Sequence, residues 1–197
     1  QEAGYVCEGA LGSLDLAGRP VLLADIGGGS TELIFASRDE EPVLRSVAAG
    51  AVYLTEKFLQ HDPPLEEETS SALAHATAAL AKAHAEIPSG AEELVGLGGT
   101  TTTIPPVIME MERYDASRVH NYVVTIERVE SVLQRLRTMR LPQRKKVKGL
   151  EPDRADIIIG GLLILKALLR VTGFEKVRVS DRGILFGLAL SVQSGIE

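Results

Sequence analysis

The stretch ADIGGGSTELIF, Ala24 to Phe35, sets one acidic residue, three consecutive glycines and two hydroxyls between two apolar runs. Gly27, Gly28 and Gly29 permit positive backbone dihedrals and let several N–H groups converge, a nest in which a phosphate oxygen can replace water. Ser30 and Thr31 can add hydroxyl donors, and Asp25 can hold a hydrated magnesium ion or orient a water against the bound phosphate. A two-residue hairpin turn needs one or two glycines, so turning alone leaves the third glycine, the aspartate and the Ser-Thr pair unexplained. The commoner nucleotide motifs do not fit. No Gly-Lys-Ser/Thr ending follows, so there is no Walker loop, and a strand rather than a helix is expected after the glycines, which counts against a dinucleotide fold. The expected chemistry is a phosphate clamp inside a hairpin.

The flanking elements that must position this clamp are legible. Gly18-Arg19-Pro20 signals a turn before VLLADI, an apolar run of strand length. TELIFAS and VLRSVAAG, separated by the polar RDEEP, extend it into an antiparallel three-strand meander. AVYLTEKFLQ reads as a helix, Pro63-Pro64 as a break, and Glu66 to Glu86 as a long alanine-rich helix with acidic residues in its first turn. ELVGLGG returns to strand and ends in a second glycine loop, while Pro105-Pro106 fall where a following helix would have to continue. Thr125 is a candidate N-cap for a helix with apolar Ile126, Val129, Leu133 and Leu136. A core helix from about Arg154 to Val171, a short strand KVRVS and a final helix through Leu190, capped by Ser180 or Asp181, complete the pattern. The fold class is α/β, with a mixed five-stranded sheet flanked by helices.

Composition limits the partners. With 197 residues, 45% apolar and 24% charged, this is an ordinary globular sequence of one or at most two domains. A net charge of −6 argues against a general nucleic-acid or anionic-membrane binder, so an anionic ligand must meet local positive groups. Cys7 is the single cysteine, which excludes an intramolecular disulfide and thiolate zinc sites and suits a reducing cytoplasm. The run Ile157 to Leu165 falls short of the roughly 18 residues a spanning helix needs. The first residue is not methionine, and the chain is expected to continue from something upstream.

The strand–Asp-x-Gly-Gly-Gly-Ser-Thr–strand hairpin resembles the second phosphate loop of the ribonuclease H-like superfamily of actin, heat-shock 70 and the sugar kinases. The fuller string, with EAGYVCEGALGSL, GLGGTTTTI, YDASRVHNYVVT, GLEPDRADIIIGGLLIL and VSDRGILFGLAL in order, is similar to the exopolyphosphatase/guanosine pentaphosphate phosphohydrolase (Ppx/GppA) family. That resemblance implies a single actin-like domain over 1–197, the second of two lobes, with residues 1–17 as the connection between lobes and the first lobe as a missing partner. It implies release of terminal phosphate from polyphosphate or guanosine pentaphosphate, with magnesium, in the cleft between lobes. Gln1-Glu2-Ala3 matches the family's Glu-Glu-Ala string, which makes Glu2 the expected base for the attacking water. Asp25 matches the loop aspartate near metal and phosphate, Gly27 to Gly29 the amide cradle, Ser30 and Thr31 the hydroxyl donors, and Glu32 a further metal-side carboxylate. Gly98, Gly99 and Thr100 match the second phosphate-binding glycine loop. Two alternatives are a catalytically degenerate domain that binds polyphosphate or an alarmone, and an ATP-binding half of a sugar kinase. A homodimer stays open.

Other groups invite blander readings. His75 and His84, nine residues apart on one helix, face opposite sides and are expected to be solvated. His120 suits either a ligand contact or a structural hydrogen bond. The basic run RLPQRKKVK, Arg140 to Lys148, is either a counterion for a long polyanion or a solvated loop. Arg154 and Asp156 are expected to play a structural role beside the cleft.

Overall fold

The computed structural model describes residues 19–37 and 41–182. Its strands are β1 (Val21–Ile26), β2 (Thr31–Ala36), β3 (Val43–Val47), β4 (Glu93–Leu97), β5 (Val123–Thr125) and β6 (Lys176–Val179). The helices are α1 (Ala51–Phe58), α2 (Glu66–His84), α3 (Gly98–Ile108), α4 (Ala116–Val119), α5 (Ile126–Arg137), α6 (Leu141–Arg144) and α7 (Ile158–Thr172). Glu2, the 1–17 connection and the helix expected through Leu190 lie outside the described residues.

All six strands join one mixed sheet in the order β3-β2-β1-β4-β6-β5. The meander β1-β2-β3 is antiparallel, β1, β4 and β6 run parallel, and β5 returns antiparallel to β6. The sheet therefore has six strands rather than the expected five. The additional one, VVT, is only three residues long and runs straight into α5, so it carries no period of its own. β1 is buried nearly throughout because it lies between β2 and β4 with both faces covered, which is why VLLADI does not alternate.

The apolar core lies where Leu22, Ala24, Ile26 and Leu33 of the sheet meet α2 and α7. α7 carries IIGGLLILKALLRVT, is buried along nearly its whole length, and ends at Gly173, whose φ of 76° lets its N–H reach Leu169 O. Among the described residues no helix is long and apolar enough to cross a membrane. Gly160 brings α7 onto α1: a Cβ there would stand 2.6 Å from Ala51 O and 2.7 Å from Thr55 Oγ1.

Three expectations are revised. α3 does not stop at its prolines; Pro105 and Pro106 are buried inside it, and the ladder resumes with Met109 N–H donating to Pro105 O at 2.9 Å. Burial of both rings in the core offsets the two donors that proline removes. His75 is half-buried rather than solvated, with ring centroids of Phe58 and Tyr53 at 5.0 and 5.7 Å. In the basic run Arg144 turns inward, donating to Ala155 O and Met139 O and pairing with Asp62 at 3.0 Å, while Lys148 pairs with Glu112. Burial draws the Arg144 guanidinium below its usual range, opposed by the Asp62 charge. Arg144 is thus structural, while Arg140, Lys145, Lys146 and Lys148 stay exposed.

Gly160→Ala tests the α1–α7 contact. Helix propensity favours alanine by about 1 kcal/mol, but overpacking against backbone costs about 1–3 kcal/mol, so net destabilisation is expected in urea unfolding.

Candidate functional site

The parallel strands β1, β4 and β6 deliver Asp25, Gly98 and the Ser180-Asp181 pair to one edge of the sheet. This is the carboxyl end, where open α/β sheets place their ligands.

The glycine loop spans Gly27 to Ser30 between β1 and β2, closed by the Gly27 N–H donating to Ser30 O at 3.0 Å. Its shape is set by α1. The first N–H groups of that helix donate to loop carbonyls: Ala51 to Gly27 O at 2.9 Å, Val52 and Tyr53 to Gly28 O at 2.9 and 3.1 Å. In a planar trans peptide the N–H points opposite the carbonyl, so turning those two carbonyls onto α1 aims the N–H groups of Gly28 and Gly29 away from the helix, toward the exposed side. Gly50 permits the approach. A Cβ on it would overlap the carbonyl of Gly28, although its φ of −108° is ordinary. Gly50 is a residue that sequence reasoning passed over; its signal would have been a lone glycine just before a helix that needs no special dihedral.

The expected site residues separate into groups. Gly28 and Gly29 form the outward part of the cradle, whereas the Gly27 N–H closes the turn and its carbonyl is held by α1. Thr31 is fully buried and donates its hydroxyl to Ala49 O at 2.6 Å, which ties the hairpin to the lead-in of α1 and commits its proton there rather than to a phosphate. Asp25 and Glu32 are directly opposed across β1 and β2, hence on one face, and both are half-buried. Ser30 Oγ donates to Glu32 Oε1 at 2.6 Å, and Ser46 Oγ of β3 donates to the same oxygen at 2.9 Å.

The second glycine loop opens α3 and lies against the first. Gly98 has φ of 81°, and a Cβ on it would stand 2.5 Å from Asp25 Oδ1 and 2.8 Å from Ile26 O. A Cβ on Gly99 would overlap the guanidinium of Arg154, whose Nε also pairs with Glu151 at 2.6 Å. Thr100 is buried, packed against Gly161 of α7, so its side chain faces the core. Only its amide, in the first turn of α3 with no side-chain cap, shares the helix N-terminus that can face an anion.

Beyond Arg154 a hollow of about 210 Å³ is lined by Thr102, Thr103, Tyr114, Glu151 and Asp181. Tyr114 donates its hydroxyl to Asp181 Oδ1; burial, then that hydrogen bond, push the phenol above its usual range. His120 Nδ1 accepts the Asp181 N–H at 3.4 Å, the structural alternative of its two readings. Asn121 has φ of 68°, and its N–H donates to Val179 O.

Among the described residues no group of three or more His, Cys, Asp or Glu side chains could enclose a metal. The Asp25–Glu32 pair nevertheless fits magnesium, which is commonly held by one or two carboxylates together with water and substrate phosphate.

The profile of the Ppx/GppA phosphatase family matches residues 1–194. The chain belongs to this family. Exopolyphosphatase 2 of Mycobacterium tuberculosis is 37% identical over 199 residues, covering 98% of this chain and 61% of the relative. The guanosine-5'-triphosphate,3'-diphosphate pyrophosphatase of Aeromonas hydrophila is 24% identical over 172 residues, covering 85% of this chain and 33% of the relative. The crystal structure of the Aquifex aeolicus Ppx/GppA family member superposes with a TM-score of 0.90 at 30% identity, over 100% of this chain and 63% of that one. The sheet and its helices are thus the actin-like fold of Ppx/GppA proteins. The chain spans about three fifths of the Mycobacterium and Aquifex relatives and a third of the Aeromonas one.

The loop geometry yields a contrast between neighbouring glycines. Gly50→Ala must push the loop off α1 and is expected to cost about 1–3 kcal/mol of stability. Gly29→Ala meets no atom within 4 Å and should cost under about 1 kcal/mol. Thermal unfolding of both variants checks the ordering.

Proposed function

We propose that this chain is the phosphate-holding lobe of a phosphoanhydride hydrolase that releases terminal phosphate from inorganic polyphosphate or guanosine pentaphosphate. The observation that carries the reading is the capture of the Gly27 and Gly28 carbonyls by α1, which aims two loop amides outward beside Asp25 and the N-terminus of α3. Family membership favours a phosphatase over the sugar-kinase alternative.

Phosphoanhydride hydrolysis demands an in-line water and dispersal of charge over the transferring oxygens, with little covalent help from protein. The Gly28 and Gly29 amides would bind the terminal phosphoryl oxygens, and the first-turn amides of α3 would take the next phosphate. Arg154, seated over Gly99 and ion-paired with Glu151, brings a guanidinium to the same rim. Glu2 is proposed as the base that accepts the proton of the attacking water, and Asp25 as the group that orients that water and the metal. A magnesium ion held at Asp25 and Glu32 would neutralise the transferring oxygens. The first lobe of the family would supply the opposing wall, because water attack becomes competitive only when both sides fix the phosphate. A reducing cytoplasm is the setting we propose.

The test is magnesium-dependent phosphate release by the full-length protein from each substrate. Glu2→Gln and Asp25→Asn are each expected to lower kcat by about 100-fold or more, the scale of losing one preorganised catalytic group. Wild-type rates in both variants would sink the assignment of roles.

A further inference from the structure

The register places three polar residues in a row across the meander. Asp25 of β1 is opposed to Glu32 of β2, and Glu32 is opposed to Ser46 of β3, so all three side chains leave the same face. Within that row the Glu32 carboxylate is held asymmetrically. Its Oε1 accepts from Ser30 Oγ at 2.6 Å and from Ser46 Oγ at 2.9 Å. Two donors on one oxygen orient the carboxylate and leave Oε2 to accept from elsewhere.

The two serines are not equivalent. Ser30 lies in the glycine loop, next to the outward amides, where its hydroxyl can turn to an incoming phosphate oxygen. Ser46 lies on β3, at the edge of the sheet and one strand removed from the loop, and is fixed opposite Glu32 by the ladder. Were a phosphate oxygen to draw the Ser30 hydroxyl away, Ser46 would be the donor left on Oε1.

Resting on the magnesium reading of Asp25 and Glu32 above, we propose that Ser46 is a positioning residue for the divalent-cation site. It holds Oε1 of Glu32 so that Oε2 faces the cation throughout phosphate binding. Hydrogen-bond partners standing behind metal-holding groups commonly contribute ten- to hundredfold in affinity, and the exposed position of Ser46 sets the expectation at about tenfold.

The probe is Mn2+ alone, bound to the full-length protein and followed by electron paramagnetic resonance, with circular dichroism reporting the fold. Ser46→Ala is expected to weaken Mn2+ binding about tenfold with unchanged dichroism, and Ser46→Thr, which keeps the hydroxyl on a strand-favouring residue, to restore it. Glu32→Gln should weaken binding at least as much, and adding Ser46→Ala to it should change nothing further. Wild-type affinity in Ser46→Ala, failure of Ser46→Thr to restore it, or an undiminished Ser46→Ala effect in the Glu32→Gln background overturns the proposal while leaving the hydrolase reading intact. Absence of Mn2+ binding by the wild type overturns the metal site and this proposal together.

Discussion

The site depends on one exchange of hydrogen bonds: the N-terminus of α1 gives its first N–H groups to the carbonyls of Gly27 and Gly28. Helix N-termini ordinarily present such groups to an anion directly. Here they act one step removed, on the loop, and the peptide planes hand the donor property on to Gly28 and Gly29. Gly50 is needed for this because its missing side chain is the space the loop occupies. Thr31 fixes the other end of the same arrangement through Ala49 O.

Around that exchange the fold brings parts together from distant points in sequence. Asp25 stands one residue before the end of β1, Gly98 starts α3, and Asp181 follows β6, and all three come to one end of the sheet because three parallel strands end there. Tight packing does the rest. Gly98 lies against Asp25, Gly99 lies under Arg154, and Gly160 draws α7 onto α1. The glycines around the site therefore serve two ends: at Gly98 a positive φ is needed, whereas at Gly50 and Gly160 only the absence of volume matters.

The sequence made the meander, the two glycine loops and the core helix α7 legible because each has strong local chemistry: apolar runs bounded by glycine or proline. It gave no warning of β5, whose three residues belong to the sheet only through β6. Side-chain direction was the harder matter. Thr31 and Thr100 carry the right chemistry in the right motif, yet strand alternation and helix phase turn both inward. Ser46 could have been found by extending the register from the Asp25–Glu32 pair across the second hairpin, but that needs the length of a turn that the polar string RDEEP does not specify. Arg144 shows the same limit, since a basic run does not say which of its members finds buried carbonyls.

The bonds from Ala51, Val52 and Tyr53 also tie the loop's motion to the helix. Displacing the carbonyls of Gly27 and Gly28 strips the first turn of α1 of its acceptors, so opening of the loop and fraying of that turn are a single event. α1 is in turn seated on α7 at Gly160. A loop made of three glycines and a serine is thereby coupled, through α1, to the core helix beneath it.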